Sequence, residues 1–413
     1  MTSRERILSA IDHREPDKVP VDLGSNPSSG ISAVAYANLR DFLGIQTGGV
    51  QVYDVVQQLA QPEEWALKRF GIDVVDVGRT FNSEPEDWRA TELYTGAAAQ
   101  YPAWFTPQRE ADGSWSAYHA DGTLIASMPE GAAFFDETCF PYQEGYPSDW
   151  SGLDEAMGKV LWSALVHSPW DNASGPGFWE RLRENALELR RTSDRAIMVV
   201  IGCNLFEWGT FLRRIDNFLM DLMLEPAQVE SLLDALMERH LATLEKVCAA
   251  VGDVADIVRF GDDLGTDAGP FMQPEIYRSL FKPRHRILTD YVKANSSMRS
   301  FLHSCGSLDK LLPDIIEAGF EILNPVQTNA RGMEPAYLKQ EFGREITFWG
   351  GGIDTRSVLN SASPEEVRAQ TLERLEVFSR GGGYVFNTVH NILPDVPPQN
   401  IVAMFDAVAE FNA

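Results

Sequence analysis

Cysteine is scarce in this chain: Cys139, Cys203, Cys248 and Cys305 are the only four in 413 residues. Their density and spacing exclude a disulfide framework and predict reduced thiols. No run of about 18 apolar residues occurs, so the pattern offers no membrane-spanning helix. The opening MTSRERILSAIDHREPDKVP lacks the apolar core of a signal peptide. A cytoplasmic location is the expectation. Basic residues are in the minority, with 35 Lys and Arg against 60 Asp and Glu and a net charge of −25. That balance argues against nucleic acid or another polyanion as partner. Low-complexity tracts and charge blocks are missing, and 44% apolar with 23% charged residues suits a folded globular chain. Two glycine triplets, 350–352 and 381–383, have neither Rossmann nor P-loop spacing, so no nucleotide site is read from them.

What is present is alternation of short β-branched or aromatic runs with longer helical patterns, as expected for βα units around a parallel sheet. Length alone permits two domains, or one α/β barrel with an insertion. Eight candidate strands occur: KVPVDLG (18–24), IDVVDVG (72–78), AIMVVIGC (196–203), DIVRFGDD (256–263), RSFLHSC (299–305), FEILNPV (320–326), ITFWGGG (346–352) and GYVFNTVH (383–390). Polar residues gather at their C-terminal ends, the catalytic face of a (β/α)₈ TIM barrel. Between the second and third candidates, residues 112–136 carry DG turn signals between alternating segments and read as an inserted β-meander. Its aromatics Trp115, Tyr118 and Phe134 are expected in the core of that small sheet. Residues 148–170, 177–194 and 226–252 read as helical, with Cys248 a buried small hydrophobe of the last.

His303 and Cys305 stand two apart at a strand end, where side chains alternate with a period of two, so both can face one ion. Barrel closure would bring His390, at the end of the eighth candidate, to the same mouth. Two nitrogens and one sulfur suit zinc and leave a fourth position open, the pattern of catalytic sites. Asp262 and Asp263 form a tandem carboxylate, of which one would enter the mouth while the other caps a turn. Glu207 is a candidate ligand, general base or helix-start residue. Asn324, Gln327 and Asn387 offer neutral hydrogen bonds to substrate or support to a His ligand, and Asp354 is a further candidate.

Four stretches, RERILSAIDHREPDKVPVD, GDDLGTDAGPFMQPEIYRSLFKPRHRIL, HSCGSLDKLLPDIIEAGFEILNPVQ and GGGYVFNTVHNILPDVPPQNI, jointly resemble the uroporphyrinogen decarboxylase superfamily. The resemblance implies one barrel over residues 1–413 with an inserted β-element over 85–145. Decarboxylases of the superfamily hold substrate carboxylates with an early pair of arginines. Here that stretch reads DLGSNPSSGIS, with no arginine between Arg14 and Arg40. The methyltransferase branch uses a His-x-Cys pair and a later Cys as zinc ligands. His303 and Cys305 match the pair, and His390 stands at the later position, which removes one negative charge and strengthens the Lewis acid. The resemblance thus implies a zinc-dependent methyltransferase moving a methyl group between a small methoxy- or methylamine-type donor and a corrinoid supplied by a separate protein. Asp262, Asp263 or Glu207 would orient the donor or transfer a proton. The alternatives are a decarboxylase or lyase acting on a small carboxylic acid, and a non-catalytic binding protein.

Overall fold

The computed structural model describes residues 1–413. Seven strands pair in chain order into one curled parallel sheet: β1 (Val74–Asp76), β2 (Ala196–Gly202), β3 (Ile257–Gly261), β4 (Arg299–His303), β5 (Ile322–Asn324), β6 (Thr347–Trp349) and β7 (Tyr384–Val385). The expected first strand, 18–24, makes only an isolated parallel bridge, Val21 to Phe386. Pro20 has no N–H to donate and Gly24 turns the chain at φ +78°, so no ladder can grow there. The segment still touches both edges of the sheet. Asp22 N donates to Phe386 O at 2.9 Å and Phe386 N to Pro20 O at 2.8 Å, beside β7, while Asp73 N donates to Val21 O at 2.9 Å, beside β1.

Alternation along the strands sorts the core into two parts. Val74, Ala196, Met198, Val200, Ile257, Phe301, Ile322, Trp349 and Val385 face inward and form one buried cluster with Ile7, Ala10 and Ile11. Their neighbours Val75, Ile197, Val199, Val258, Leu302, Leu323 and Phe348 face outward and join the larger cluster under the surrounding helices. Both faces are dry, which is why the strands read as continuous apolar runs. The helix Ser3–Ile11 begins with a capping box in which Thr2 and Glu5 satisfy each other's backbone N–H. It lies across the N-terminal end of the sheet, fixed by Gly383 N donating to Ala10 O at 2.7 Å. The inner cluster is therefore closed at that end, and the polar strand ends lie at the other.

Between β1 and β2 the chain forms a hairpin, Trp88–Glu92 with Ala98–Pro102, and a four-stranded antiparallel sheet running from Gln108–Arg109 to Asp136–Glu137. Two expectations there need correcting. Tyr118 is exposed, and the fully buried aromatic is Phe135, with Phe134 only half-buried. Residues 148–170 are not one helix but a short one, Leu153–Met157, followed by two 3₁₀ turns, because Gly158 and Pro169 interrupt the pattern. The other two helices are present as Phe178–Thr192 and Pro226–Val251, with Cys248 buried on the second. All four cysteines are free. No helix is long and apolar enough to cross a membrane.

Candidate metal centre at the strand ends

On five of the seven strands an inward-facing apolar residue of the inner cluster is followed two positions later by a polar one. Val74 leads to Asp76, Ile257 to Arg259, Phe301 to His303, Ile322 to Asn324 and Val385 to Asn387. A period of two keeps these side chains on the inner face as the strands end, so the packed interior gives way to a ring of polar groups.

His303 is the best-positioned member. Its Nδ1 lies 2.8 Å from Asn324 Oδ1, and Asn324 Nδ2 donates to Trp349 O at 2.9 Å. The amide is thereby oriented with its oxygen toward the imidazole, which assigns the proton to Nδ1 and leaves the Nε2 lone pair facing the mouth. Cys305 Sγ lies 3.6 Å from that Nε2. The chain after Cys305 turns at Gly306, φ +90°, where a Cβ would lie 2.3 Å from the Gly265 backbone. Asp263 Oδ1 accepts from Cys305 N at 2.8 Å, and Gln327 Oε1 accepts from Gly306 N at 2.9 Å. These contacts hold the thiol in place.

His390 arrives from a loop five residues beyond β7, not from the strand itself. Its backbone has φ +67°, a conformation uncommon for a side-chain-bearing residue and one that persists only where surroundings enforce it. Thr355 Oγ1 donates to Val389 O at 2.7 Å, and Thr388 Oγ1 donates to the His390 carbonyl. The His303 and His390 rings stand 5.4 Å apart, and the donor atoms of His303, Cys305 and His390 all lie within 4.8 Å of one another. Burial lowers both imidazole pKa values, His303 well below its usual range and His390 to about 3, and raises the Cys305 thiol with help from Asp263 and Glu207.

The remaining sequence candidates separate into two groups. Asp263 is part of the cluster, with Oδ1 3.4 Å from His303 Nε2. Glu207, in the first turn of the helix Phe206–Arg213, accepts from Asn204 Nδ2, and burial followed by the Asp263 and Asp262 charges pushes its carboxyl up to about 8. Asn387 Nδ2 donates to Asp22 O at 3.2 Å while its buried Oδ1 has no partner. Asp262 faces the other way. It accepts from Phe206 N and Glu207 N at 3.0 and 2.9 Å and lies 3.2 Å from His285 Nε2, fully buried, as the cap of that helix. Asp354 likewise closes a turn, accepting from Arg356 N and Ser357 Oγ at 2.8 and 2.7 Å. Gln327 spends its amide nitrogen on Asp267 at 2.6 Å.

Three groups of the mouth were not singled out from sequence. Asp22 accepts from Trp349 Nε1 and Ser25 Oγ, both at 2.8 Å, and burial raises its carboxyl to about 6. Tyr53 has a buried hydroxyl without a partner. Arg259 is a buried arginine within an otherwise apolar strand. The signal for it was legible as a charge two residues before Gly261, on the inward register of β3.

The family model described as uroporphyrinogen decarboxylase (URO-D) matches residues 206–411, the part of the chain that supplies β3 to β7 and all three donors. A uroporphyrinogen decarboxylase from Methylococcus capsulatus is 43% identical over 101 residues, 24% of this chain and 27% of its own length. The chain thus aligns with little more than a quarter of that relative. A methylated-thiol–coenzyme M methyltransferase from Methanosarcina mazei is 24% identical over 283 residues, covering 63% of this chain and 70% of its own. The solved structure of a methyltransferase from Methanosarcina mazei superposes over 100% of both chains with a TM-score of 0.60 at 17% identity, a likeness of fold alone. The class is an α/β enzyme fold with its polar groups at the C-terminal ends of a curled parallel sheet. The chain belongs to the uroporphyrinogen decarboxylase superfamily and has relatives in its methyltransferase branch.

Proposed function

We propose that the protein is a zinc-dependent methyltransferase that moves a methyl group between a small methylated donor, of methoxy or methylamine type, and a corrinoid carried by a separate protein. The observation that carries this reading is the convergence of His303, Cys305 and His390 donor atoms within 4.8 Å. Tetrahedral zinc with bonds of about 2.0–2.3 Å holds neighbouring donors roughly 3.4–3.6 Å apart. The 3.6 Å between His303 Nε2 and Cys305 Sγ matches that spacing. Both imidazoles are neutral at pH 7, the form that ligates, and a divalent cation would draw the proton from the thiol. Bound there, zinc supplies a Lewis acid for the heteroatom that bears the methyl group.

The remaining work falls to side chains. Asn324 orients His303. Asp263 holds Cys305 by its backbone N–H and presents a carboxylate beside the donors. Glu207, whose carboxyl is pushed up to about 8 by burial, would give a proton to the departing heteroatom, which is otherwise a poor leaving group. Asn387 offers its free amide oxygen to the substrate, while Asn324 and Gln327 act through the ligands they support. Asp262 and Asp354 serve the scaffold. The same reading takes residues 1–413 as one (β/α)₈ barrel, with the Pro20–Asp22 segment closing the ring and a β-element inserted over 85–145.

The methyltransferase relative supports this reading by aligning with 63% of the chain. The decarboxylase matches favour a second reading, a decarboxylase or lyase for a small carboxylic acid, over the shorter stretch they cover. Elemental analysis of the purified protein, joined to an absorbance assay of methyl transfer to free cob(I)alamin from methoxylated and methylamine donors, tests the choice. About one zinc per chain and zinc-dependent transfer are expected. A metal-free protein that releases carbon dioxide from small acids would move the assignment to the second reading.

A further inference from the structure

The most unusual charge in the molecule is Arg259. It is only 7% exposed, yet no carboxylate oxygen lies within 4.0 Å of it, whereas every other buried or nearly buried charge of the strand ends has a partner or a raised carboxyl pKa. One guanidinium nitrogen, Nη2, donates to Ser28 Oγ at 2.9 Å, and the buried Nε has no partner at all. A buried cation is retained only where something compensates it. The acidic groups whose charge reaches it, Glu207 and Asp263, are held by Asn204 and by the Cys305 N–H and make no ion pair with it.

The surroundings make room for this side chain at the strand ends. At Gly261 a Cβ would lie 3.0 Å from Arg259 Nη1 and 2.6 Å from Asn204 Nδ2, so glycine leaves the room the guanidinium occupies. Gly261 pairs in register with His303 on the adjoining strand, which sets the guanidinium beside the proposed metal ligands. The unpartnered Tyr53 hydroxyl belongs to the same buried neighbourhood, close enough for each group's charge to act on the other. The contact with Ser28 has a further meaning. Ser28 lies in the DLGSNPSSGIS loop, which has no arginine of its own, so β3 brings one cation to that loop from across the mouth.

We propose that Arg259 is the anchor for a single carboxylate of the substrate, received by its guanidinium edge, and that the methyl donor is therefore a small monocarboxylate with its methyl group on oxygen or nitrogen. A planar guanidinium edge with two parallel N–H groups matches a carboxylate bidentately. One arginine pairs one carboxylate. This inference builds on the methyl-transfer reading for the identity of the donor, but the anion site itself would serve any substrate of this mouth.

The test measures binding of acetate, methoxyacetate, benzoate and 4-methoxybenzoate, each against its neutral amide, by ligand-observed NMR on zinc-loaded and on metal-stripped protein. At least one carboxylate should bind about tenfold or more tightly than its amide in both forms, the size expected of a charge-assisted pair. Arg259→Met should abolish that preference, and Arg259→Lys, which keeps the charge but not the fork, should retain only part of it. Equal binding of acid and amide across the panel in the native protein overturns the proposal without recourse to any variant. So does a preference that vanishes on metal removal or survives in Arg259→Met, since the carboxylate would then sit on the metal. Failure of the methyl-transfer reading looks different: no zinc and no transfer to cob(I)alamin, with the carboxylate preference intact.

Discussion

Asn324 Oδ1 receives the Nδ1 proton of His303 at 2.8 Å, and because Asn324 is itself fixed by the Trp349 carbonyl, the ring has one tautomer and one orientation. Partners of this kind raise metal affinity by about 10–100-fold in characterised sites. Asn324→Ala should weaken zinc binding by about that factor, measured by competition with a chromophoric chelator, while Asn324→Asp, which keeps an acceptor, should lose less. Unchanged affinity in the alanine variant would remove Asn324 from this role.

The ligand set itself is tested at its two ends. Cys305→Ala and His390→Ala should each lower zinc content well below one ion per chain, because a site with three protein donors has none to spare. His390→Cys should keep the ion by substituting a thiolate. If both His390 variants hold zinc as the native protein does, the histidine is not a ligand and the charge argument for a stronger Lewis acid goes with it.

Asp262 should behave as a structural residue. Removing it strands the N–H groups of Phe206 and Glu207 and a contact to His285 in a buried setting. Asp262→Ala should cost about 2–3 kcal/mol, read as a lower midpoint of urea unfolding, with zinc content preserved. Loss of turnover at native stability would return Asp262 to the reacting groups.

Glu137, in the small antiparallel sheet, accepts from Trp162 N at 2.7 Å through Oε1, while Oε2 is buried without a partner. Burial raises its carboxyl to about 8, opposed by the Trp162 and Leu161 N–H groups. The folded state therefore holds this proton more tightly than the unfolded chain, whose value is near 4.5. Its contribution to stability is full below about pH 4.5 and is lost as pH rises toward 8. Glu137→Gln should flatten the decline over that window, so that the variant gains a few degrees in melting temperature on the native protein at pH 8 relative to pH 5. Parallel profiles for the two proteins would rule the effect out.

Uroporphyrinogen should not be turned over. The early loop has no arginine between Arg14 and Arg40, and Arg259 is the one arginine shown here to reach it. Most carboxylates of a many-carboxylate substrate would be left unpaired in a low-dielectric mouth, at a cost no single cation offsets. Release of carbon dioxide from uroporphyrinogen at an ordinary enzymatic rate would refute this.

Much of this architecture is legible from local pattern. Runs such as AIMVVIGC and RSFLHSC announce buried strands, and a period of two puts His303 and Cys305 on one side of the strand end. What resists reading is set by distant partners. Whether Asp262 or Asp263 enters the mouth depends on where the helix Phe206–Arg213 begins, more than fifty residues away in the chain. Val21 fails to extend a strand because of Pro20 and Gly24, although KVPVDLG has the composition of one. His390 reaches the donors through a left-handed backbone held by Thr355 and Thr388, a geometry that no hydrophobic period encodes. Arg259 went unmarked in the sequence, because its lack of a counter-charge emerges only when every neighbour is in place.

The helix Ser3–Ile11, seated across the floor of the inner cluster, has a consequence for the order of events. With the ring closed as proposed, a vessel stoppered at its base has one doorway. Whatever is small must be inside before anything protein-sized covers the opening, and it must leave after that visitor has gone. Under the proposed chemistry the donor binds first, the corrinoid carrier docks second, and the demethylated remnant waits behind it. Excess carrier should then slow turnover by sealing the empty protein, whereas excess donor should not.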